Sequence, residues 1–291
     1  MKKACEKTVP AIVVSLIAAM VFTCSNAPVA GGAGTGNPGK TTFGIVVGED
    51  TSGVFPSTEP LPKVLRGEDV SITDADSNTF EVDSSFIIVK KIHFNVEPKD
   101  KERLKEITLL EPLSKDAGSV ILEGPYTFNT ITGTTEPPLE PFMLPDMNYK
   151  SVKLEISNGR SKNSVYLQGT FTYKDSVRNF CFDLSLNTNV TYESPDAFYI
   201  SGSDSTDLRI ELDASLWLAD VYTQACIDSR TAPFDSANTF VLDGKITDTT
   251  CTMIPDKIKD NIVKSGKLKV KQVKAQPQVP ADSDSAAVAQ P

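Results

Sequence analysis

Between Glu68 and Thr247 the chain is cut into short runs of β-branched and aromatic residues separated by turn chemistry, a pattern that hides apolar side chains on strands rather than helices. "EDVSIT" is followed by the turn "DADSN", by "TFEV", and by the long run "SFIIVKKIHFNVE" from Ser85 to Glu97. In that run Phe86, Ile88, Ile92 and Phe94 share one parity, and Val89, Lys91 and His93 share the other. Lys90 breaks the first face, which predicts a β-bulge there. Further strands are expected at "SVILEG" (119–124), "YTFNTI" (126–131), "YKSVKLEIS" (149–157), "SVYLQGTFTYK" (164–174), "RNFCFDLSL" (178–186), "DLRIELD" (207–213) and "TFVLDGKIT" (239–247). Val152, Leu154 and Ile156 alternate with Lys153 and Glu155, as in an antiparallel strand with one wet face. The expected fold is all-β, an antiparallel sandwich with one or two short helices. The clearest helix is "PDKIKDNIVKSG", with Pro255 in its first turn, Ile258 and Ile262 one turn apart, and Gly266 as the C-cap. "KDKERLKEITLLEP" suits a short helix capped near Asp100 or, at "EITLL", a strand; "DASLWLADVYTQAC", which holds the only tryptophan, Trp217, fits no single period.

The first residues decide where such a domain would live. "MKKACEKTVPAIVVSLIAAMVFTC" opens with Lys2, Lys3 and Lys7 and continues as an apolar run from Val9 to Phe22, the layout of a secretory signal peptide over residues 1–23. That run is shorter than the roughly 20 residues a membrane span requires. "VFTC" resembles the bacterial lipobox, so Cys24 is the expected lipidation site; Ser25, rather than Asp, follows it and favours an outer-membrane address. Each buried acyl CH₂ contributes about 0.8 kcal/mol, so two or three chains would hold the protein nearly irreversibly. Residues 24–41 then read as a Gly-rich stalk with a reach of roughly 20–25 Å. Residues 42–274 are expected to form the β-sandwich domain, with its core at about 68–274, and 275–291 a disordered tail.

"GTGNPGKT", Gly34 to Thr41, matches the phosphate-cradling pattern G-x-x-x-x-G-K-[ST]. A working loop of that kind needs a buried strand before it and a helix after it. Here a Gly/Ala/Pro tether precedes it and the strand-like "TTFGIVV" follows, so no nucleotide is expected. The net charge of −9, more negative still once the lysine-rich leader is removed, argues against nucleic acid. Seven lysines between Lys257 and Lys274 read as a solvated helix face plus an edge strand guarded by charge, or as a contact for anionic lipid or an acidic partner.

Cys5 leaves with the leader and Cys24 takes lipid, which leaves Cys181, Cys226 and Cys251 in an oxidising compartment. Cys226 and Cys251 are expected to form a disulfide, and Cys181 to be a buried thiol. His93 is the only histidine and stands without a nucleophile motif or metal-ligand spacing, so it is read as structural, and no catalytic residue, metal or cofactor is assigned. "DADSNTFEVDS" offers Asp74, Asp76, Asn78 and Asp83 for calcium, but Thr79 and Ser85 stand where an EF-hand wants Gly and Glu, so a turn is expected instead.

At "ITDADSNTFEVDSSFIIVKKIHF", "ILEGPYTFNTITG", "MNYKSVKLEI" and "VYLQGTFTY…FCFDLSL" the chain resembles a group of bacterial surface lipoproteins with a β-sandwich domain of no assigned function. Its stalk is similar to those of Fibrobacter-like lipoproteins. Asn129 and Thr130 stand where relatives often carry Asp-Leu, and the resemblance brings no catalytic residues with it. The expected role is a non-enzymatic binding module on the cell envelope, held to the membrane by its lipid anchor and facing a glycan or protein ligand. The alternatives are a structural envelope lipoprotein and a carboxylate-dependent glycan hydrolase.

Overall fold

The computed structural model describes residues 38–48, 70–159, 163–229, 234–243 and 245–273. The leader, Cys24, the stalk as far as Asn37 and the tail from 275 lie outside the described residues. In chain order the first strands are β1 (Gly39–Val47), β2 (Val70–Thr73), β3 (Thr79–Val96), β4 (Leu113–Lys115), β5 (Ser119–Asn129), β6 (Thr135–Glu136) and β7 (Phe142–Leu144). They are followed by β8 (Met147–Ile156), β9 (Val165–Tyr173), β10 (Ser176–Leu184), β11 (Thr188–Ile200), β12 (Ser205–Leu212), β13 (Phe240–Asp243) and β14 (Gly266–Val273). Three short helices accompany them: α1 (Lys101–Glu106), α2 (Gln224–Asp228) and α3 (Ile254–Lys264).

β3 organises the larger sheet, whose main path runs β11-β8-β3-β9-β10-β13. At 18 residues it is long enough to take two partners on each edge: β2 and then β5 on one, β9 and then β8 on the other. "TFEV" and "SFIIVKKIHFNVE" are therefore one strand. The bulge expected at Lys90 is present, because the pairing with β5 jumps from Val89↔Tyr126 to Lys91↔Glu123. Lys90 faces Gly124 and Pro125 across that gap. A Cβ on Gly124 would sit 2.8 Å from the Val89 carbonyl oxygen and 2.9 Å from that of Lys90, so the close approach of the two backbones requires glycine. "SVILEG" and "YTFNTI", expected as two strands, run through this irregularity as the single strand β5.

The smaller sheet has the order β14-β12-β1-β7. β1 lies in its middle, parallel to β12 from Lys40↔Ser205 to Val47↔Leu212 and antiparallel to β7. Gly39, Lys40 and Thr41 thus belong to the sheet, which shortens the expected stalk. The last residues of the phosphate-loop match are strand residues where nucleotide binding would need them to open a helix. β14 is the edge of this sheet by pairing, as the lysine alternation suggested, and it lies beside β11, the edge of the larger sheet. Tyr192 of β11 donates to the Val263 carbonyl at 3.2 Å, and its ring occupies the space a Cβ on Gly266 would need.

The inner face of the larger sheet is covered in two halves. The small sheet covers one: Phe43 of β1 meets Phe94 and Phe128 edge-on at 6.0 and 5.8 Å, and Phe142 of β7 lies 5.4 Å from Phe94. Over the other half, Phe80, Phe171, Phe180, Phe182 and Phe240 interlock with centroids 4.8–5.9 Å apart, beneath α3. α3 starts where Pro255 predicts and buries Ile254, Pro255, Ile258 and Ile262; each apolar side chain removed from water contributes about 1.5–3 kcal/mol. Ser265 rather than Gly266 is its C-cap. Trp217 is fully buried next to it, its indole N–H donating to Ser265 Oγ at 3.1 Å. Of "KDKERLKEITLLEP", residues 101–106 are helical with Asp100 as N-cap, and Ile107–Leu110 are irregular. β11, whose alternation is interrupted between Glu193 and Phe198, has no counterpart among the expected strands.

Candidate functional site

The second aromatic cluster ends at one edge of the molecule, where β9 turns into β10. Lys174 and Asp175 both take positive φ, 47° and 60°, so two residues suffice to close the hairpin in the twist its strands require. On β10, Arg178 follows the parity of Phe180 and Phe182, which places a guanidinium where the next core phenylalanine would stand. The charge is accommodated by stacking: its carbon lies 5.8 Å from the Tyr173 ring and 5.9 Å from the Phe234 ring. Phe234 in turn packs on Phe240 at 5.7 Å, so the aromatic cluster continues into the site. Arg178 Nε is buried and has no hydrogen-bond partner.

Opposite the arginine, the turn before β13 is held by Asp235, whose Oδ1 accepts from the amides of Ala237 and Thr239, each at 2.8 Å. This sets Asn238 at φ 60°. The pairing of β13 with β10 stops at Phe180, so between this turn and residues 176–179 lies a hollow of about 300 Å³. Ser176, Val177, Arg178, Asn179, Ala237 and Asn238 line it. Residues that carry hydroxyl, amide and guanidinium groups surround it, and its exposed lining is mostly polar, which suits oxygen-bearing ligands.

The surrounding frame is tied by hydrogen bonds and a disulfide. Asp228, at the end of α2, accepts from the Tyr173 hydroxyl, from Gln224 Nε2 at 2.6 Å and from Lys174 Nζ at 3.0 Å. Those hydrogen bonds, the tyrosine's foremost, pull its carboxyl down to about 2. A disulfide joins Cys226 of α2 to Cys251, with Cα atoms 5.0 Å apart, as expected. At its other end α2 is fixed by the turn after β2: Asp76 Oδ2 accepts from the Gln224 amide at 2.7 Å. Asp74, 5% exposed, accepts from the amides of Asp76, Asn78 and Thr223 and from the side chains of Asn78 and Thr223.

Asp74, Asp76 and Asn78 therefore form the expected turn, and the first two also act as a clamp across 145 or more residues of chain. Asp83 lies exposed on β3 and takes no part in those bonds. Among the described residues no group of three His, Cys, Asp or Glu is arranged to hold a metal ion. Cys181 is buried on β10 but is not a free thiol, contrary to expectation.

His93 lies elsewhere, in a polar ladder across β5, β3 and β8. Its Nε2 is 2.9 Å from Glu155 Oε1, and its Nδ1, which has no hydrogen bond, is 3.8 Å from Asp116 Oδ2. Above and below it, Lys91 pairs with Glu123 at 2.9 Å, and Asn95 bridges Ser151 and Ser119 at 2.8 Å each. At 5% exposure the ring is a component of the sheet and lines neither of the hollows described here. The second hollow, about 280 Å³, is more apolar, with Leu110, Pro112, Pro138, Pro141 and Met143 among its walls.

Arg178, Tyr173, Phe234 and Asn238 are not among the residues singled out in the sequence. The available signal was Arg178 itself, an arginine at core parity in "VRNFCF". Compared with protein-family models, curated proteins and solved structures, the chain matches none.

Proposed function

We propose that this chain is a lipid-anchored β-sandwich module of the bacterial cell envelope that presents a ligand-binding site at the β9–β10 end of the sandwich. The anchor rests on the lysine-led apolar leader and the "VFTC" that ends in Cys24. The Cys226–Cys251 disulfide supports an oxidising, extracytoplasmic setting. The binding role is carried by one observation: an arginine with an unpartnered donor, at the wall of a 300 Å³ polar hollow built on braced turns. An apolar residue would fill that place without desolvating a charge, so the arginine held there between two rings supports a binding role.

Two measurements test this reading. Growth with an alkyne-tagged fatty acid should label the wild-type chain and leave Cys24→Ser unlabelled and released from the membrane. Full-length protein in detergent, applied to an array of bacterial and plant glycans and then to envelope peptides, should retain a discrete ligand set. A chain that takes no fatty acid, or that binds nothing on either array, contradicts the corresponding half of the proposal.

A further inference from the structure

Taking the binding reading above as its basis, we infer that the ligand at the β9–β10 end is a carboxylate-bearing saccharide of the uronic-acid type, its carboxylate held by Arg178 and its hydroxyls by Asn238, Ser176 and the backbone amides of Val177 and Asn179. The fixed fork of a guanidinium matches a carboxylate in two parallel hydrogen bonds. No described carboxylate makes an ion pair with Arg178, in a chain whose net charge is −9. Of the aspartates in the neighbouring turns, Asp228 is bound to Tyr173 and Lys174, Asp175 sits in the hairpin turn, and Asp235 holds the opposite turn through its own backbone bonds. The arginine is thus kept unneutralised, and the same aspartates disfavour a dianion such as phosphate relative to a singly charged carboxylate.

The other groups suit a sugar ring. Asn238 offers an amide that both donates and accepts, and Ser176 a hydroxyl that does the same, which is what vicinal ring hydroxyls require. In a two-residue hairpin the pair flanking the turn, here Tyr173 and Ser176, is mutually hydrogen-bonded. By alternation the amides of Val177 and Asn179 face away from β9, toward the hollow. A volume of about 300 Å³ is at the lower end of small-molecule pockets and matches one or two sugar units rather than a long chain.

The test is calorimetric titration of the full-length protein in detergent with a diglucuronide, with its neutral diglucoside counterpart and with inorganic phosphate. The diglucuronide should bind, and the diglucoside should bind about tenfold or more weakly, the fold-change expected for losing charge-assisted hydrogen bonds. Arg178→Lys, which keeps charge and stem but removes the fork, should weaken the diglucuronide several-fold. Asn238→Gly, which suits the positive φ at that position and so leaves the turn intact, should weaken both sugars equally. Equal binding of charged and neutral sugars, indifferent to Arg178→Lys but reduced by Asn238→Gly, overturns the carboxylate assignment while leaving the binding module standing. Phosphate displacing the diglucuronide at equal concentration overturns it in favour of an oxyanion site. No binding of either sugar, when the array detects another ligand, removes the saccharide class altogether.

Discussion

Asp74 shows how a single carboxylate can serve two scales of structure. Its two oxygens take five donors, three from its own turn and two from Thr223, far along the chain. Asn in its place would present an N–H₂ to donors of which only the Thr223 hydroxyl can also accept, and each unsatisfied buried group costs about 1–3 kcal/mol. Asp74→Asn is therefore expected to lower stability by on the order of 3 kcal/mol, measured as a shift of the urea midpoint at unchanged slope. The turn was legible in "DADSN" because Asp and Asn bond their own backbone in sequence-local ways. Its bond to Thr223 was not, since nothing local marks which distant donor a buried carboxylate will meet. Arg178 was overlooked for the converse reason: an arginine on a strand ordinarily reads as surface, and only the aromatic rings of Tyr173 and Phe234, one supplied by another part of the chain, make core parity tolerable.

Among the elements, those with strict internal periodicity were readable and those set by partners were not. β8 alternates cleanly over Val152–Ile156, the β3 bulge falls at the residue that breaks parity, and α3 carries its proline and its isoleucines one turn apart. β11 escaped because "ESPDA" interrupts its alternation with a proline, which ordinarily demotes a strand; the structure tolerates it where the register with β8 is broken anyway. α2 is only five residues long, too short to persist by propensity, and survives through Asp74, Asp76 and its disulfide. Replacing both Cys226 and Cys251 by serine should cost about 3 kcal/mol, the chain-entropy value for a loop of 25 residues. Guanidinium unfolding of the double variant beside wild type, both kept oxidised, checks this: the variant's midpoint should fall at unchanged slope. Loosening α2 should also free Tyr173 and Lys174, so the double variant is expected to show faster amide exchange in the β9–β10 hairpin.

For the whole molecule, the titrating groups define where the fold is firmest. Burial would push the Asp100 carboxyl up, but the side chain and amide of Asn148, with Lys99 and Arg103, bring it below its usual range; Asp228 is held at about 2. A depressed folded carboxyl means the unfolded chain binds more protons in acid, so this contribution is complete above about pH 4 and is lost as pH falls toward 2. Asp183 works in the opposite sense, raised by burial and by Asp243 beside it in register. At the other end, burial raises the hydroxyls of Tyr149 and Tyr192, so the unfolded chain loses those protons first and stability declines above about pH 10. Thermal melts from pH 2 to 11 should show a plateau between about pH 5 and 9 with a fall on each side; a midpoint rising below pH 4 would contradict the carboxylate assignment. The all-β class was legible throughout, whereas the pairing of β1 with β12 was not, because register between strands some 165 residues apart leaves no local trace.

That central placement of β1 also determines how the domain carries force. A pull on the chain ahead of Gly39 acts along the strand axis, and β1 is flanked by β12 over eight register pairs and by β7 over three. The load falls on those ladders in shear, all bonds resisting together, instead of peeling them one at a time as a pull on a terminal edge strand would. A body dragged by its leading end through flow or past a neighbouring cell would therefore keep its sheets intact.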